Sequence, residues 1–205
     1  MAGTKMLELA GKQTACPCHV CAFFYSNEQE ESVLLPFMAE GIAAGDKCIN
    51  IIEKSEKPSR FAALVSAGID VVVAEARGQL EILPWEEAHL VGGGFDQKGM
   101  LDRLDAAAEL ADETHPMTRL WSNQEWALLD VPGVKDIVEY EARFNYVWPK
   151  HKSAVVCVYD ATRFSLATLT QILRAHPFAI LGKDMIENAA YVPPDDLLRE
   201  LGRYP

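Results

Sequence analysis

No run of apolar residues in this 205-residue chain approaches the roughly 18 that a membrane helix needs. Basic residues are scarce: 19 lysines and arginines stand against 30 aspartates and glutamates, a formal net charge of −11. Without a basic patch the chain lacks the electrostatic footprint of a nucleic-acid or anionic-membrane binder, and neither partner is expected. The first residues, 1–13, lack the charged start, apolar core and cleavage site of a secretory signal, so a cytoplasmic location is expected. Cysteines number five, an odd count that favours reduced thiols over a disulfide framework in such a setting. Repeats, low-complexity tracts and Gly/Ser linkers are missing as well. The expected organisation is a lead-in over residues 1–17 and one domain over 18–205.

What is present is an alternation of short apolar runs with helical patterns. Residues 19–25 (HVCAFFY), 47–52 (KCINII) and 153–159 (SAVVCVY) read as buried strands, as do 80–83, 118–121 and 178–181. The β-branched run at 69–74 (IDVVVA) reads as one more. Between them lie helical patterns: one after Asn27 with Leu34, Phe37, Met38 and Ile42 on one face, one from Pro58, one from Asp96, one over 134–148 and one from Ser165. Asn27 with Glu30 is the expected capping box of the first, and Gly45 its stop. Such alternation predicts a three-layer αβα sandwich on a mostly parallel sheet, with strands covered on both faces.

Ligands in open α/β sheets sit beyond the carboxyl ends of the strands. That rule selects Tyr25, Ser26, Asn27, Glu53, Ser122, Asn123, Tyr159 and Asp160. A phosphate loop needs glycines and a lysine at the first strand-to-helix turn, whereas residues 26–31 read SNEQEE. Three carboxylates there repel phosphate, which excludes nucleotide binding of the usual P-loop kind. No GxSxG elbow supports a hydrolytic triad. Cys16, Cys18, His19 and Cys21 are the densest cluster of metal-capable groups, but no second ligand pair follows them, so the reading favours structural roles and no metal. Glu141 and Asn145 fall on the apolar stripe of the 134–148 pattern. A buried carboxylate there is either a structural group, paired with an arginine such as Arg119, or a polar fixture of a ligand cavity. Asp160 reads as a turn cap or a ligand contact. His176, before Pro177, reads as a hydrogen-bonded structural residue.

The order and spacing of several segments resemble a known family. They are His19-Val20-Cys21 through Tyr25, Leu35-Pro36-Phe37 with Gly41 to Gly45, and Gly78-Gln79-Leu80. Phe95-Asp96, Arg119, Trp126, Tyr140-Glu141 with Asn145, Cys157 to Asp160 and His176-Pro177 complete the set. Over residues 18–192 the chain is similar to the MEDS domain (methanogen/methylotroph, DcmR sensory domain). The resemblance implies a RecA/KaiC-like fold without its phosphate loop, and a sensory role with hydrocarbon derivatives as ligands. It also implies His19, Tyr25, Glu141, Cys157 and Asp160 as binding positions. One departure stands out: Asn123 occupies a place where family members carry a carboxylate, which argues against acid–base catalysis there.

The expected function is therefore a sensory domain that binds a small, mostly apolar metabolite at the strand ends, without a cofactor. Phe23, Tyr25, Trp85, Trp121, Trp126 and Trp148 would supply apolar walls. A separate kinase or transcription regulator would receive the signal, and a second copy of the chain is a further admissible partner. The alternative is an enzyme, either a metal- or thiol-dependent one using Cys16, Cys18, His19 and Cys21 or a diverged ATPase-like hydrolase.

Overall fold

The computed structural model describes residues 5–203. Residues 1–4 of the expected lead-in lie outside the described residues; 6–15 form an antiparallel hairpin of β1 (Met6–Leu9) and β2 (Lys12–Ala15). Leu7 and Leu9 of this hairpin are buried in the core, which is why so polar a segment holds a fixed place.

The main sheet contains β3 (Cys18–Phe24), β4 (Lys47–Ile52), β5 (Leu80–Pro84), β6 (Thr118–Asn123), β7 (Ser153–Asp160), β8 (Phe178–Leu181) and β9 (Asp184–Glu187). Their spatial order is β5-β4-β6-β7-β3-β8-β9, all parallel except β9. One face is covered by α1 (Asn27–Ala44), α2 (Lys57–Ser66) and α3 (Val71–Ala76) with the hairpin. The other is covered by α4 (Gln97–Thr114), α5 (Ile137–Phe144) and α6 (Leu166–Ala175). A final α7 (Pro194–Glu200) packs Leu197 and Leu198 against α5 and α6. The expected αβα sandwich is what forms.

Three expectations are corrected. Residues 69–74 are not a strand: Val71 and Ala74 are buried while Val72 is 67% exposed, a one-sided helical pattern, and the Asp70 side chain caps α3 by accepting from the Val73 N–H. The single helix over 134–148 is broken into α5 with 3-10 turns at 134–136 and 148–150. The Asn145 amide donates back to the Glu141 and Ala142 carbonyls and so ends α5. Ser26, not Asn27, caps α1, accepting from the Gln29 N–H, and Glu30 turns inward instead of closing a capping box.

α1 approaches the sheet closely at Gly41, against Arg119 of β6. Arg119 is buried and donates to Asp46, Glu40 and the Phe37 carbonyl at 2.8–2.9 Å. A Cβ at position 41 would lie 2.6 Å from the Arg119 side chain and 2.7 Å from the Cys48 sulfur. Gly41→Ala is therefore expected to destabilise by about 1–3 kcal/mol despite the better helix propensity of alanine, read as a lower urea midpoint at unchanged slope.

Candidate functional site

Strand alternation divides the cysteine-rich segment between the two faces of the sheet. Cys18, Val20, Ala22 and Phe24 point toward α1; His19, Cys21 and Phe23 point toward α5 and α6. Cys16 and Cys18 come within 3.8 Å of each other on the first side. The four sequence neighbours Cys16, Cys18, His19 and Cys21 therefore cannot share one ligand.

A different set converges. β7 and β8 flank β3, so Cys157 of β7 and His176, just ahead of β8, stand beside His19. Glu141 of α5 closes the group from above. Its Oε2 lies 3.3 Å from His19 Nε2, 3.5 Å from His176 Nε2 and 3.7 Å from Cys157 Sγ, and Cys157 Sγ is 3.5 Å from His19 Nε2. The Tyr159 hydroxyl donates to Glu141 Oε1 at 2.5 Å. All five side chains are buried.

The hydrogen bonds assign the imidazole tautomers. His176 Nδ1 faces the Ile172 carbonyl at 2.8 Å and must donate. His19 Nδ1 faces Asn145 Oδ1 at 3.3 Å. That oxygen also accepts from Trp148 Nε1, while the Asn145 nitrogen donates to three carbonyls, so the amide orientation is fixed and His19 Nδ1 donates too. Both Nε2 atoms therefore present lone pairs to the Glu141 carboxylate. Burial pushes the His19 imidazole down to about 4, the His176 charge adding to this and the Glu141 charge opposing it. Burial would raise Glu141; only a proton carried on one of the facing Nε2 atoms and donated to Oε2 would outweigh it and hold the carboxyl below the ordinary range. The Cys157 thiol is pushed up by burial and by the Glu141 charge. These four donors are a nitrogen, nitrogen, oxygen and sulfur set able to hold a metal ion.

Among the described residues, two of the cavities border the main sheet. Beyond the strand ends lies a small polar one of about 40 Å³, lined by Ser26, Asn27, Glu30, Asn123, Glu125, Asp160 and Arg163 among others. The Glu30 carboxylate accepts there from Arg60, Trp121 and Asn123 at 2.8–3.1 Å, and Arg60 lies over the Trp121 ring at 3.7 Å. Glu125 accepts from the Asp160 N–H, and burial raises its carboxyl to about 7. The larger, mostly apolar cavity, about 220 Å³, is not at the strand ends. It lies between α4 and the face of β4, β6 and β7, walled by Ile49, Ile51, Leu83, Met100, Leu104, Leu120, Phe144, Trp148 and Val155.

The expected site residues divide accordingly. His19, Glu141 and Cys157 form the buried cluster; Asn123 and Asp160 line the polar crevice, where Asp160 also caps its turn by accepting from Thr162. Tyr25 is 71% exposed and lines neither cavity. Glu141 does not pair with Arg119, which lies across the sheet. Of the aromatics expected to wall a ligand pocket, only Trp148 lines the apolar cavity; Trp85 borders the polar one, and Trp121 and Trp126 are fully buried core residues. His176, set aside as structural, is a member of the cluster, and nothing in its local sequence signals that.

This architecture is that of a RecA-like α/β domain. It is similar to the crystal structure of a KaiC-like protein from the hyperthermophilic archaeon Pyrococcus horikoshii OT3, with a TM-score of 0.56 and 12% identity over 79% of this chain and 69% of that one. The chain belongs to the MEDS family, the methanogen/methylotroph, DcmR sensory domain, whose model matches residues 18–177. It is 27% identical over 172 residues to the transcriptional repressor DcmR of Methylorubrum extorquens, covering 82% of this chain. The chain spans 62% of that repressor's length. Among the described residues, no helix is long and apolar enough to cross a membrane.

Proposed function

We propose that residues 18–205 act as one sensory unit, which binds a small, mostly apolar metabolite between α4 and the sheet. The apolar cavity carries this reading. Its volume of about 220 Å³ exceeds the roughly 150 Å³ that suffices to bind benzene in an engineered apolar cavity. Arg103, His151 and Ser153 at its margin supply the few polar contacts that would favour a hydrocarbon derivative over a bare hydrocarbon. The bound state would reach a separate regulator, a kinase or a transcription factor, consistent with the kinship to a repressor. Glu30, held by Arg60, Trp121 and Asn123 beside the turn where a phosphate loop would stand, speaks against nucleotide as the ligand.

Thermal unfolding with halocarbons, small alcohols and magnesium-ATP tests the reading. A compound of the first two classes at a hundredfold excess over its Kd is expected to add about 2.7 kcal/mol of apparent stability. Ala108→Phe, which projects a ring from α4 into the cavity, is expected to abolish that gain. A gain that survives Ala108→Phe, or one produced by magnesium-ATP alone, would refute the assignment.

A further inference from the structure

We propose that His19, His176, Glu141 and Cys157 form a closed binding site for one divalent ion of the zinc class. Nothing in the apolar-cavity reading requires it. Four of the six separations among the donor atoms run from 3.3 to 3.7 Å, and all six lie within 4.8 Å. Donors around a tetrahedral zinc ion, with bonds of about 2.0–2.3 Å, are separated by roughly the same distances.

The hydrogen bonding asks for a cation at this point. Both imidazoles spend their Nδ1 hydrogens outward, on Asn145 Oδ1 and the Ile172 carbonyl, leaving Nε2 lone pairs directed at a carboxylate oxygen, with the Cys157 thiol also within 3.5 Å of His19 Nε2. His176 Nε2 is buried and has no hydrogen-bond partner. A divalent ion with one thiolate and one carboxylate makes a neutral unit, the form that full burial tolerates. Binding breaks the Cys157 S–H bond, forms a metal–sulfur bond and releases the proton to solvent. Asn145, the Ile172 carbonyl and the Tyr159 hydroxyl hold the outer side of His19, His176 and Glu141, the outer support that ligating side chains require. Two nitrogens, a sulfur and one oxygen suit zinc or cobalt far better than magnesium or calcium. With four protein donors and no exposure, the ion would hold α5 to β3, β7 and β8, with no coordination position left for activating water.

The full chain, produced in zinc-supplemented medium and purified without chelator, is expected to carry one equivalent of zinc. X-ray absorption should count one sulfur and three nitrogen or oxygen neighbours. Protein produced with cobalt should show a thiolate-to-cobalt charge-transfer band that Cys157→Ser removes and Cys18→Ser leaves intact. Tyr159→Phe, which removes only a hydroxyl behind Glu141, should weaken retention about 10–100-fold. Zinc far below one equivalent overturns the proposal, as does a shell with two or more sulfurs or a band that survives Cys157→Ser. The sulfur count on the unaltered chain decides the matter even where a variant fails to fold.

Discussion

Glu141→Ala is expected to lower the stability of the domain by about 3–5 kcal/mol, the range found when one partner of a buried charged group is removed. The truncation leaves the Tyr159 hydroxyl without its acceptor at 2.5 Å and removes a fully buried side chain from the network. It also opens a gap where α5 meets the sheet. Glu141→Gln should lose less than the alanine variant, because a side-chain amide still accepts from Tyr159 and can donate to the unpartnered His176 Nε2. Urea unfolding at neutral pH reads both, as midpoints at unchanged slope. If the alanine variant unfolded within about 1 kcal/mol of the original, Glu141 could not be the centre of the buried network.

The second large effect is acid sensitivity set by His89. This imidazole is 1% exposed and stacks on Trp126 at 4.7 Å, with its Nδ1 unpartnered. Burial pushes it down to about 3, with Arg103 adding and the Glu141 charge opposing. In the unfolded chain it titrates near 6.5. Between pH 6.5 and about 3 the unfolded state thus binds a proton that the native state refuses, so stability falls as pH falls. The loss from this group is on the order of 3 kcal/mol between pH 7 and pH 4. His19, lowered to about 4, acts in the same direction. Glu125, raised by burial to about 7, acts oppositely, since its extra native proton is lost as pH rises through that value. Comparing variants isolates His89 from both. His89→Phe keeps the stacking, so its advantage over the original chain should widen by roughly 3 kcal/mol from pH 7 to pH 4. Parallel pH profiles would show that His89 is not a buried neutral group.

The parallel strands were readable in the sequence because burial on both faces makes them near-continuous apolar runs, as in 153–159. The run at 69–74 shows the limit: six residues, three of them valine, carry no period long enough to separate strand from helix, and the Asp70 cap decides it. The β1–β2 hairpin has no apolar run at all and is held by two leucines whose partners lie far along the chain. Within the site, Glu141 and Asn145 were marked by helical spacing that put polar groups on a buried stripe. His176 could not be found that way, because its place in the cluster follows from β3 lying between β7 and β8, a strand order with no local signature. The Cys16–Cys21 segment misleads for the converse reason: neighbours along a strand are kept apart by the sheet itself.

Glu30 belongs to the first turn of the first helix, yet its carboxylate is clasped by a residue of α2 and two of β6. The clasp ties the start of α1 to α2 and to the end of β6. On the reading proposed above, the message would begin on the far side of the sheet. There α4 roofs a hollow, and Phe144 and Trp148 border that hollow with one edge while touching the His19 ring with the other. A guest under α4 would thus press on the same two rings that brace the buried histidine, and α5 is the lever through which the outside surface would feel it.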